Sequence, residues 1–487
     1  MELTLDNILL IGSILLFVSL LASRSARFRV PSLVLFLLVG LLAGPEGPGG
    51  IVVDNPTVIH FVEVVALCFI LFSSGLDTKI FDIKPVLGAG LTLSTLGVIL
   101  TCAIFGIVAN LVFQIPMSQA LLLGAIVSST DASAVFSILR SRTVGLKGRL
   151  RPLLELESSS NDPMAFFLTF IFIEINMADA VSFQWIVSTF LRQLCIGAFV
   201  GVALGFLMQR VFNWIHFDYD GLYSVLMITM VLAVFGLSEL LGGNSFLAVF
   251  ASACTIGNSD FVRKKSLIKQ FDGFAWLMQM VLFIAIGLLV KPSSIMEQMP
   301  QGILLALIVI LLARPIGVFI SLLPYKIDFR SKLFVSWFGI RGASPIVFAT
   351  YPLVAGMSNT ENIFVLVFFI SLVSVLLQGC TLPYVAKRLN VATPYNRKRK
   401  STLDIEMSWK KKSAFRIVKV KDDYNCIGKE LVNLKMPNSI VITMIRRSGQ
   451  YFVTDGRTKL LANDELFVIT DSESDFEDLM HCLTTFE

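Results

Sequence analysis

Residues 154–163, with the sequence LELESSSNDP, place three carboxyl groups and a proline within a long, otherwise apolar segment, 152–177. Ionisable groups at bilayer depth are costly, so by default they mark functional positions. The rest of the chain supplies the bilayer context: 55% of the 487 residues are hydrophobic and only 15% are charged, against about 25% charged in a typical soluble domain. The sequence therefore predicts an all-α polytopic membrane protein with its functional centre near this segment.

Segments long enough to cross a bilayer follow one another through the first 385 residues. A membrane helix needs about 20 apolar residues. The thirteen candidates lie near 8–23, 30–44, 57–75, 85–112, 118–139, 152–177, 184–209, 220–240, 242–258, 272–290, 301–324, 333–355 and 362–385. Loops after the odd-numbered helices carry most of the Lys and Arg, so the positive-inside rule predicts an outside N-terminus and a cytoplasmic C-terminus. We expect a multi-pass protein of the cell (inner) membrane.

Cysteine and histidine patterns argue against several other classes of protein. Seven scattered cysteines without a CxxC pair are not typical of a disulfide framework or a zinc site. Only three histidines occur, and none is near another, so a catalytic or metal-binding histidine cluster is not expected. The spans contain no HExxH or GxSxG motif, which argues against an intramembrane enzyme.

Helix six carries the residues with the most informative spacing. Ser158 and Asp162 are four residues apart and share one helix face, while Glu157 and Asn161 share the neighbouring face. Their oxygen atoms are the ligands that hard cations such as Na⁺ and K⁺ prefer. Pro163 removes a backbone donor and can free a carbonyl oxygen in the preceding turn. A buried carboxylate can also hold a proton, so competition at Asp162 would couple the two flows.

Two other segments are interrupted in a similar way. Residues 128–131 (SSTD) break helix five, and residues 339–345 (GIRGASP) break helix twelve. Interrupted spans in corresponding halves of a chain indicate a midplane transport site and inverted repeats. Two buried basic residues accompany them, Arg314 in helix eleven and Arg341 in helix twelve. Arg341 could pair with Glu157, or it could neutralise the end of a broken helix; the sequence leaves both open.

The chain changes character after residue 386. Residues 387–412 are polar and basic, as expected for a cytoplasmic linker that lies near anionic lipid headgroups or is simply a solvated loop. Residues 413–487 predict a small α+β domain, with strands near 415–420, 440–447 and 466–470, a short helix at 428–436 and a closing helix at 475–483. We thus expect a transmembrane exchanger domain at 1–386, the linker at 387–412 and a regulatory domain at 413–487.

These motifs together resemble the bacterial monovalent cation:proton antiporter-1 family, the NhaP-type electroneutral sodium or potassium exchangers. The similarity lies in residues 154–162 (LELESSSND), 130–131 (TD), 337–342 (WFGIRG) and 313–315 (ARP). The family often has an acidic residue in the helix-three segment 71–76 (LFSSGL), where this chain has only serines.

The resemblance implies a homodimer with one scaffold bundle and one moving, ion-binding bundle. It implies that Asp162 carries the cation and the proton alternately, and that Ser158, Thr130 and Asp131 help to ligate the cation. The remaining implied site residues are the bracing ion pair Glu157 and Arg341, Asn161 between them, and Arg314 as a secondary candidate. Electrogenic relatives have a second Asp at the position of Asn161, so one cation for one proton is expected.

The tail resembles the TrkA-C domain, the ligand-binding half of regulators of potassium conductance. The similarity lies in residues 427–431 (IGKEL), 434–437 (LKMP), 445–449 (IRRSG) and 462–466 (ANDEL). Such domains pair up and bind small regulators, so a small molecule or nucleotide is the candidate ligand here; a plain dimerisation module is the alternative. No GxGxxG half precedes the tail, and no resident cofactor or metal is expected.

The sequence thus predicts a secondary active antiporter that exchanges a monovalent cation for H⁺, with K⁺ favoured and Na⁺ left open. Its expected partners are the cation, H⁺, the lipid bilayer and a second copy of the chain; no nucleic acid is expected. The alternative is a cation channel gated by the cytoplasmic domain, although no TVGYG-like filter occurs. A glutathione-gated potassium antiporter is a closer alternative, but it would normally carry the missing nucleotide-binding half.

Overall fold

The structure, a computed structural model, describes most of the chain in two compact units. The described residues are 5–24, 32–52, 56–131, 139, 144–178, 181–357, 360–394, 414–420, 424–434, 436, 440–447, 450–470 and 473–484. The units are Met1–Asn396 and Arg397–Glu487. Most of the predicted linker, from 395 to 412, lies outside the described residues.

The described part of the first unit is built from α-helices. Their bounds are α1 (Leu5–Arg24), α2 (Ser32–Ala43), α3 (Pro56–Asp77), α4 (Ile80–Phe113), α5 (Met117–Ser128), α6 (Leu150–Met177), α7 (Phe183–Trp214), α8 (Asp220–Leu240), α9 (Ser245–Gly257), α10 (Lys264–Leu289), α11 (292–321), α12 (Phe329–Phe338), α13 (Ala343–Val354) and α14 (Thr360–Arg388). A two-stranded antiparallel ribbon pairs β1 (Val144–Leu146) with β2 (Ala392–Pro394).

Length and hydropathy identify several of these helices as membrane spans. Seven are long and apolar enough to cross a bilayer, and α12 with α13, bent by 49° at their junction, would make eight. Shorter apolar helices occur within α1 and at α2, α5 and α9. Each of the thirteen predicted segments overlaps a described helix, but the number of crossings stays a prediction.

The two halves of this unit repeat one order of features. A π-helical turn interrupts α4 at Leu93–Gly97 and α11 at Val309–Ala313. A helix break follows each of them: α5 ends at Ser128, before the non-helical residues 129–131, and α12 gives way to α13. Such π-turns are frequent at functional sites. This order is the one that inverted repeats produce.

Apolar packing divides the helices into two groups. Phe72, Phe212 and Phe271 belong to a buried cluster of α3 and α7–α10, the first group. Leu154 and Phe334 belong to a second cluster built mainly from α4, α6, α11, α12 and α14. A third cluster connects the two groups. Helix α12 and the first part of α6 thus belong to the second group, whereas α5 and α13 contribute their buried residues to the connecting cluster, which also includes part of α3.

The second unit is a small α+β fold, as predicted. Its antiparallel sheet has the order β3-β6-β4-β5, formed by β3 (Ala414–Lys419), β4 (Ile440–Arg447), β5 (Gln450–Val453) and β6 (Glu465–Thr470). The closing helix is α15 (Glu473–Thr484), and its Leu479 and Leu483 are buried with the sheet.

Two local predictions for this unit need correction. The short helix expected at 428–436 is only a 3₁₀ turn, Leu431–Leu434, because the backbone around it pairs with residues 456–460 instead of within a helix. Strand β5 was not predicted, because its four residues are too few to show an alternating pattern.

Candidate ion-binding site

The two interrupted helices meet at their breaks. Helix α5 ends at Ser128, and Ser129 is extended, with φ −64° and ψ 146°. The backbone N–H of Asp131 donates to the carbonyl oxygen of Ile340, 2.9 Å away, in the gap between α12 and α13. Backbone groups that the breaks free are thus paired with each other in the protein interior, as broken helices at membrane depth require.

Charged side chains neutralise the dipoles of the helix ends where the two broken helices meet. The Nη1 atom of Arg341 lies 3.4 Å from the carbonyl oxygen of Ser128 and 3.2 Å from that of Ser129, at the carboxyl end of α5. The carboxylate of Asp131 lies against Gly342, at the amino end of α13, so closely that a methyl group there would overlap it. A cation at a helix C-terminus and an anion at an N-terminus both stabilise the helix dipole.

The predicted ion pair between Glu157 and Arg341 is wrong. The partner of Glu157 is Arg314, whose Nη2 lies 2.7 Å from Glu157 Oε1, with both side chains at most 1% exposed. Helix α11 brings Arg314 to this face of α6, whereas Arg341 is held by the carbonyl oxygens of the α5 break. The other interpretation of Arg341, that it neutralises the end of a broken helix, agrees with the geometry.

Asp162 is held by hydroxyl groups from both broken helices. Its Oδ1 accepts a hydrogen bond from Ser129 Oγ, and its Oδ2 accepts one from Ser344 Oγ at 2.8 Å. The residue is 3% exposed. Among the described residues, no Lys, Arg or His forms an ion pair with Asp162. A buried carboxylate without a protein counter-charge is a suitable group to bind a mobile cation or a proton.

Thr130 connects Asp162's helix to the break in α5. Its Oγ1 accepts a hydrogen bond from Asn161 Nδ2 and lies 3.2 Å from Ser158 Oγ. Asn161 Nδ2 also lies 3.3 Å from Glu157 Oε1. The side-chain oxygen of Asn161 is buried without a hydrogen-bond partner in the described structure, so it remains available as a neutral ligand.

The predicted site residues are therefore brought together, but not in every predicted contact. Ser158 contacts Thr130 and Glu157 rather than accompanying Asp162 directly. The serines on Asp162, Ser129 and Ser344, were not singled out. Both lie inside the polar interruptions that mark the two breaks, so the signal was present in the segment rather than in the individual residue.

Asn244 links helix six to the first group of helices beside the site. Its Nδ2 donates to the carbonyl oxygen of Pro163 at 2.9 Å, while its Oδ1 caps α9 by accepting from Leu247 N. Next to Pro163 lies a largely apolar cavity of about 390 Å³ between α4, α6, α7 and α9. Packing between the two groups is therefore incomplete close to Asp162.

The arrangement offers oxygen atoms only. Carboxylate, hydroxyl and amide oxygens suit a hard monovalent cation. No cluster of three His, Cys, Asp or Glu that could hold a metal ion occurs in the part of the chain that the structure describes.

Comparison with known proteins identifies the family. Residues 12–388 match the family described as "Sodium/hydrogen exchanger, transmembrane", and residues 415–481 match the TrkA-C domain. The K(+)/H(+) antiporter NhaP2 of Shewanella baltica is 36% identical over 475 residues, 97% of this chain and 82% of that protein. The K(+)/H(+) antiporter NhaP of Alkalimonas amylolytica is 33% identical over 95% of this chain and 81% of its own length.

A more distant relative supports the fold. The Na(+)/H(+) antiporter 1 of Methanocaldococcus jannaschii is 27% identical, with 72% of this chain and 84% of that protein covered. The solved structure of the sodium proton antiporter MjNhaP1 from the same organism superposes with a TM-score of 0.69 at 23% identity, covering 79% of this chain and 98% of that one. The chain belongs to the sodium/hydrogen exchanger family of membrane transporters, with a TrkA-C domain at its C-terminal end.

Proposed function

We propose that this protein is a secondary active antiporter that exchanges a monovalent cation, K⁺ in preference to Na⁺, for H⁺ at Asp162. The observation that carries the proposal is the environment of that carboxylate: it is buried, hydroxyl groups of both broken helices hold it, and no ion pair within the described residues involves it. Membership of the exchanger family supports the same reaction class.

The hydroxyl groups allow one carboxylate to serve two ions. Ser129 and Ser344 donate to the two oxygen atoms of the Asp162 carboxyl group. A hydroxyl group also has two lone pairs, so the same side chains can rotate to present oxygen to a cation. Cation and proton then compete for Asp162, and neither flow proceeds without the other when the site faces the two sides of the membrane alternately.

Electroneutral exchange follows from the neighbours of Asp162. Glu157 already has a counter-charge in Arg314, and Asn161 is neutral. Only one carboxyl group of α6 at this depth is then left to change its charge with each turnover. One cation per proton is the stoichiometry that this arrangement supports.

The preference for K⁺ is supported by the relatives that match both units. The two K(+)/H(+) antiporters cover 97% and 95% of the chain, including the tail. The Na(+)/H(+) antiporter covers 72% of the chain at lower identity. These two relatives named for K⁺ thus match both the exchanger domain and the tail.

The rest of the proposed organisation places the exchanger domain at 1–386, the basic linker at 387–412 and the regulatory domain at 413–487. The matched ranges, 12–388 and 415–481, support the two boundaries of the linker to within two residues, and the two compact units divide at 396/397, inside the proposed linker. We propose a homodimer in the inner membrane, with the N-terminus outside and the C-terminus in the cytoplasm. The charge alternation of the loops supports this orientation.

The test uses inverted membrane vesicles in which a proton gradient has been established. Adding K⁺ or Na⁺ should collapse the gradient, with K⁺ effective at the lower concentration. Asp162→Asn should abolish the response, because an amide cannot exchange a proton. Asp82→Asn, an exposed carboxylate in α4, is the matched control and should exchange like the parent.

Stoichiometry is tested in proteoliposomes with an imposed membrane potential. Electroneutral exchange should proceed at the same rate with and without the potential.

Exchange by Asp162→Asn equal to that of the parent would refute the central role of Asp162. A K⁺ current without proton movement would show a channel instead.

A further inference from the structure

A second carboxyl group is buried away from Asp162. Glu63 on α3 is 0% exposed, and its Oε1 has no hydrogen-bond partner in the described structure. No ion pair within the described ranges involves it, in contrast to Glu157 with Arg314. Burying an ionised carboxylate without a counter-charge is strongly unfavourable, so this side chain requires an explanation.

The contacts of Glu63 converge on one threonine of the broken helix. Thr350 Oγ1 on α13 lies 3.1 Å from Glu63 Oε2 and 2.8 Å from His60 Nδ1, both on α3. The same oxygen lies 2.7 Å from the carbonyl oxygen of Val347, in its own helix. One hydroxyl group therefore makes three close polar contacts.

Counting protons decides how these contacts can coexist. A hydroxyl group has one hydrogen to donate and two lone pairs with which to accept. The carbonyl oxygen of Val347 can only accept, and it makes the shortest contact, so it takes the hydrogen of Thr350. Glu63 and His60 must then both donate to Thr350. All three contacts are satisfied together only when Glu63 carries a proton on Oε2 and His60 carries one on Nδ1.

Ionisation of Glu63 would disturb this arrangement. The carboxylate would compete with Val347 for the single hydrogen of Thr350, and one contact would be lost. No Lys or Arg among the described residues would compensate the charge by an ion pair. The other ionisable groups nearby are His60, Tyr351, whose ring lies 4.4 Å from that of His60, and Cys68 and Glu239, which act electrostatically on Tyr351.

The position of Glu63 connects it to the ion site. Thr350 lies six residues after Ser344 in α13, about 9 Å along the helix at a rise of 1.5 Å per residue. Ser344 is the residue whose hydroxyl holds Asp162. Glu63 itself lies on α3, which packs with the first group of helices. The contact therefore joins the first group of helices to α13, the helix that carries a hydroxyl ligand of Asp162.

We propose that Glu63 is a second proton-binding site of the exchanger, which holds α3 against α13 when protonated and releases its proton to water when they separate. The proposal rests on the antiport function above. In the released state the carboxylate is hydrated, and reprotonation restores the O–H donor to Thr350. Proton uptake and release occur on the same side of the membrane, so the ratio of one cation to one proton is unchanged.

The test compares Glu63→Gln with the parent in the vesicle assay across a range of pH. Glutamine keeps the shape and can donate from its amide to Thr350, but it cannot release a proton. The pH dependence of exchange in the parent should involve one proton more than in Glu63→Gln, whose profile should lose that step. Glu297→Gln, an exposed carboxylate on α11, is the matched control and should keep the parent profile.

A second variant makes the test independent of how much folded Glu63→Gln protein the membrane contains. Thr350→Val keeps the carboxyl group of Glu63 but removes the oxygen that accepts its hydrogen bond. The step in the pH profile that belongs to Glu63 should therefore move to a different pH. Parent-like profiles for the variants of Glu63 and Thr350 would overturn the proposal and leave antiport at Asp162 intact. A parent protein that exchanges no cation for protons would refute the proposed function itself.

Discussion

The buried pair of Glu157 and Arg314 makes a prediction whose size follows from the structure. The two side chains are 0% and 1% exposed, and their N–O distance is 2.7 Å. Only Nη2 of Arg314 makes this contact, and Nε and Nη1 have no hydrogen-bond partner in the described structure. Replacing Glu157 by Gln therefore leaves a buried guanidinium group without a counter-charge, which costs about 3–5 kcal/mol of unfolding free energy.

A surface pair on the same helix provides the matched control. Arg151 and Glu155 form an i,i+4 pair at 2.8 Å, but their side chains are 49% and 28% exposed. Such a pair contributes only about 0.3–0.5 kcal/mol. Glu155→Gln should thus leave the unfolding free energy almost unchanged, although the chemical substitution is identical.

The double variant tests which arginine is the partner. Glu157→Gln combined with Arg314→Met removes both buried charges, and such replacements are often neutral or stabilising. We expect a favourable coupling of about 1–3 kcal/mol relative to the sum of the single variants. Combining Glu157→Gln with Arg341→Met should show no such recovery, because Arg341 is held by carbonyl oxygens of the α5 break.

The assay is equilibrium unfolding of the purified protein in mixed micelles, with the denaturing detergent increased stepwise. If Glu157→Gln and Glu155→Gln lowered the unfolding free energy by equal, small amounts, Glu157 would not be the counter-charge that stabilises the buried Arg314. Recovery by Arg341→Met in place of Arg314→Met would refute the observed pairing and restore the pairing predicted from sequence.

Three further predictions concern other parts of the structure. Gly342→Ala should reduce stability by about 1–3 kcal/mol and impair exchange, because its methyl group meets the carboxylate of the helix-five break, whereas Gly236→Ala, with open space around it, should not. Ser344→Ala removes the hydroxyl group that hydrogen-bonds to Asp162. Because such a bond contributes about 1.5–3 kcal/mol, the apparent cation affinity measured in vesicles should fall at least tenfold. In the second unit, Arg447→Lys breaks a two-point contact of 2.8 Å with the fully buried Asp464 and should lower the thermal stability of that unit measurably in calorimetry.

The architecture was predictable because its signals extend over many residues. Apolar runs of about 20 residues report membrane helices, and the breaks at 128–131 and 339–345 stand out as polar or glycine-rich interruptions of such runs. The α+β tail was predictable for a similar reason, since β3, β4 and β6 are six to eight residues long and rich in β-branched and aromatic residues.

Individual contacts were less predictable because they depend on how helices pack. Arg314 and Arg341 both lie at membrane depth, and nothing in their sequence context shows which one faces Glu157. The choice depends on the rotation of α11 relative to α6, which three-dimensional packing sets. Glu63 was missed for another reason: it stands alone in the apolar run of α3, without the polar neighbours that draw attention to Asp162.

The charges where the two broken helices meet lead to a last prediction, which concerns stoichiometry. Three acids, Asp131, Glu157 and Asp162, lie in this region with two bases, Arg314 and Arg341, so one negative charge is left for a single cation or proton to neutralise. Asn161→Asp adds a fourth acid in this cluster.

The added carboxyl group would lie beside Glu157, because Asn161 Nδ2 is 3.3 Å from Glu157 Oε1. Like charges at that distance are unfavourable, so the new group would hold a proton in the resting state and release it when a cation binds. Exchange by Asn161→Asp should become sensitive to an imposed membrane potential in proteoliposomes, with two protons moving per cation. Asn176→Asp, on the same helix but partly exposed, should leave exchange electroneutral. If Asn161→Asp exchanged at a parent-like rate and ignored the potential, the net charge of this region would not set the coupling ratio.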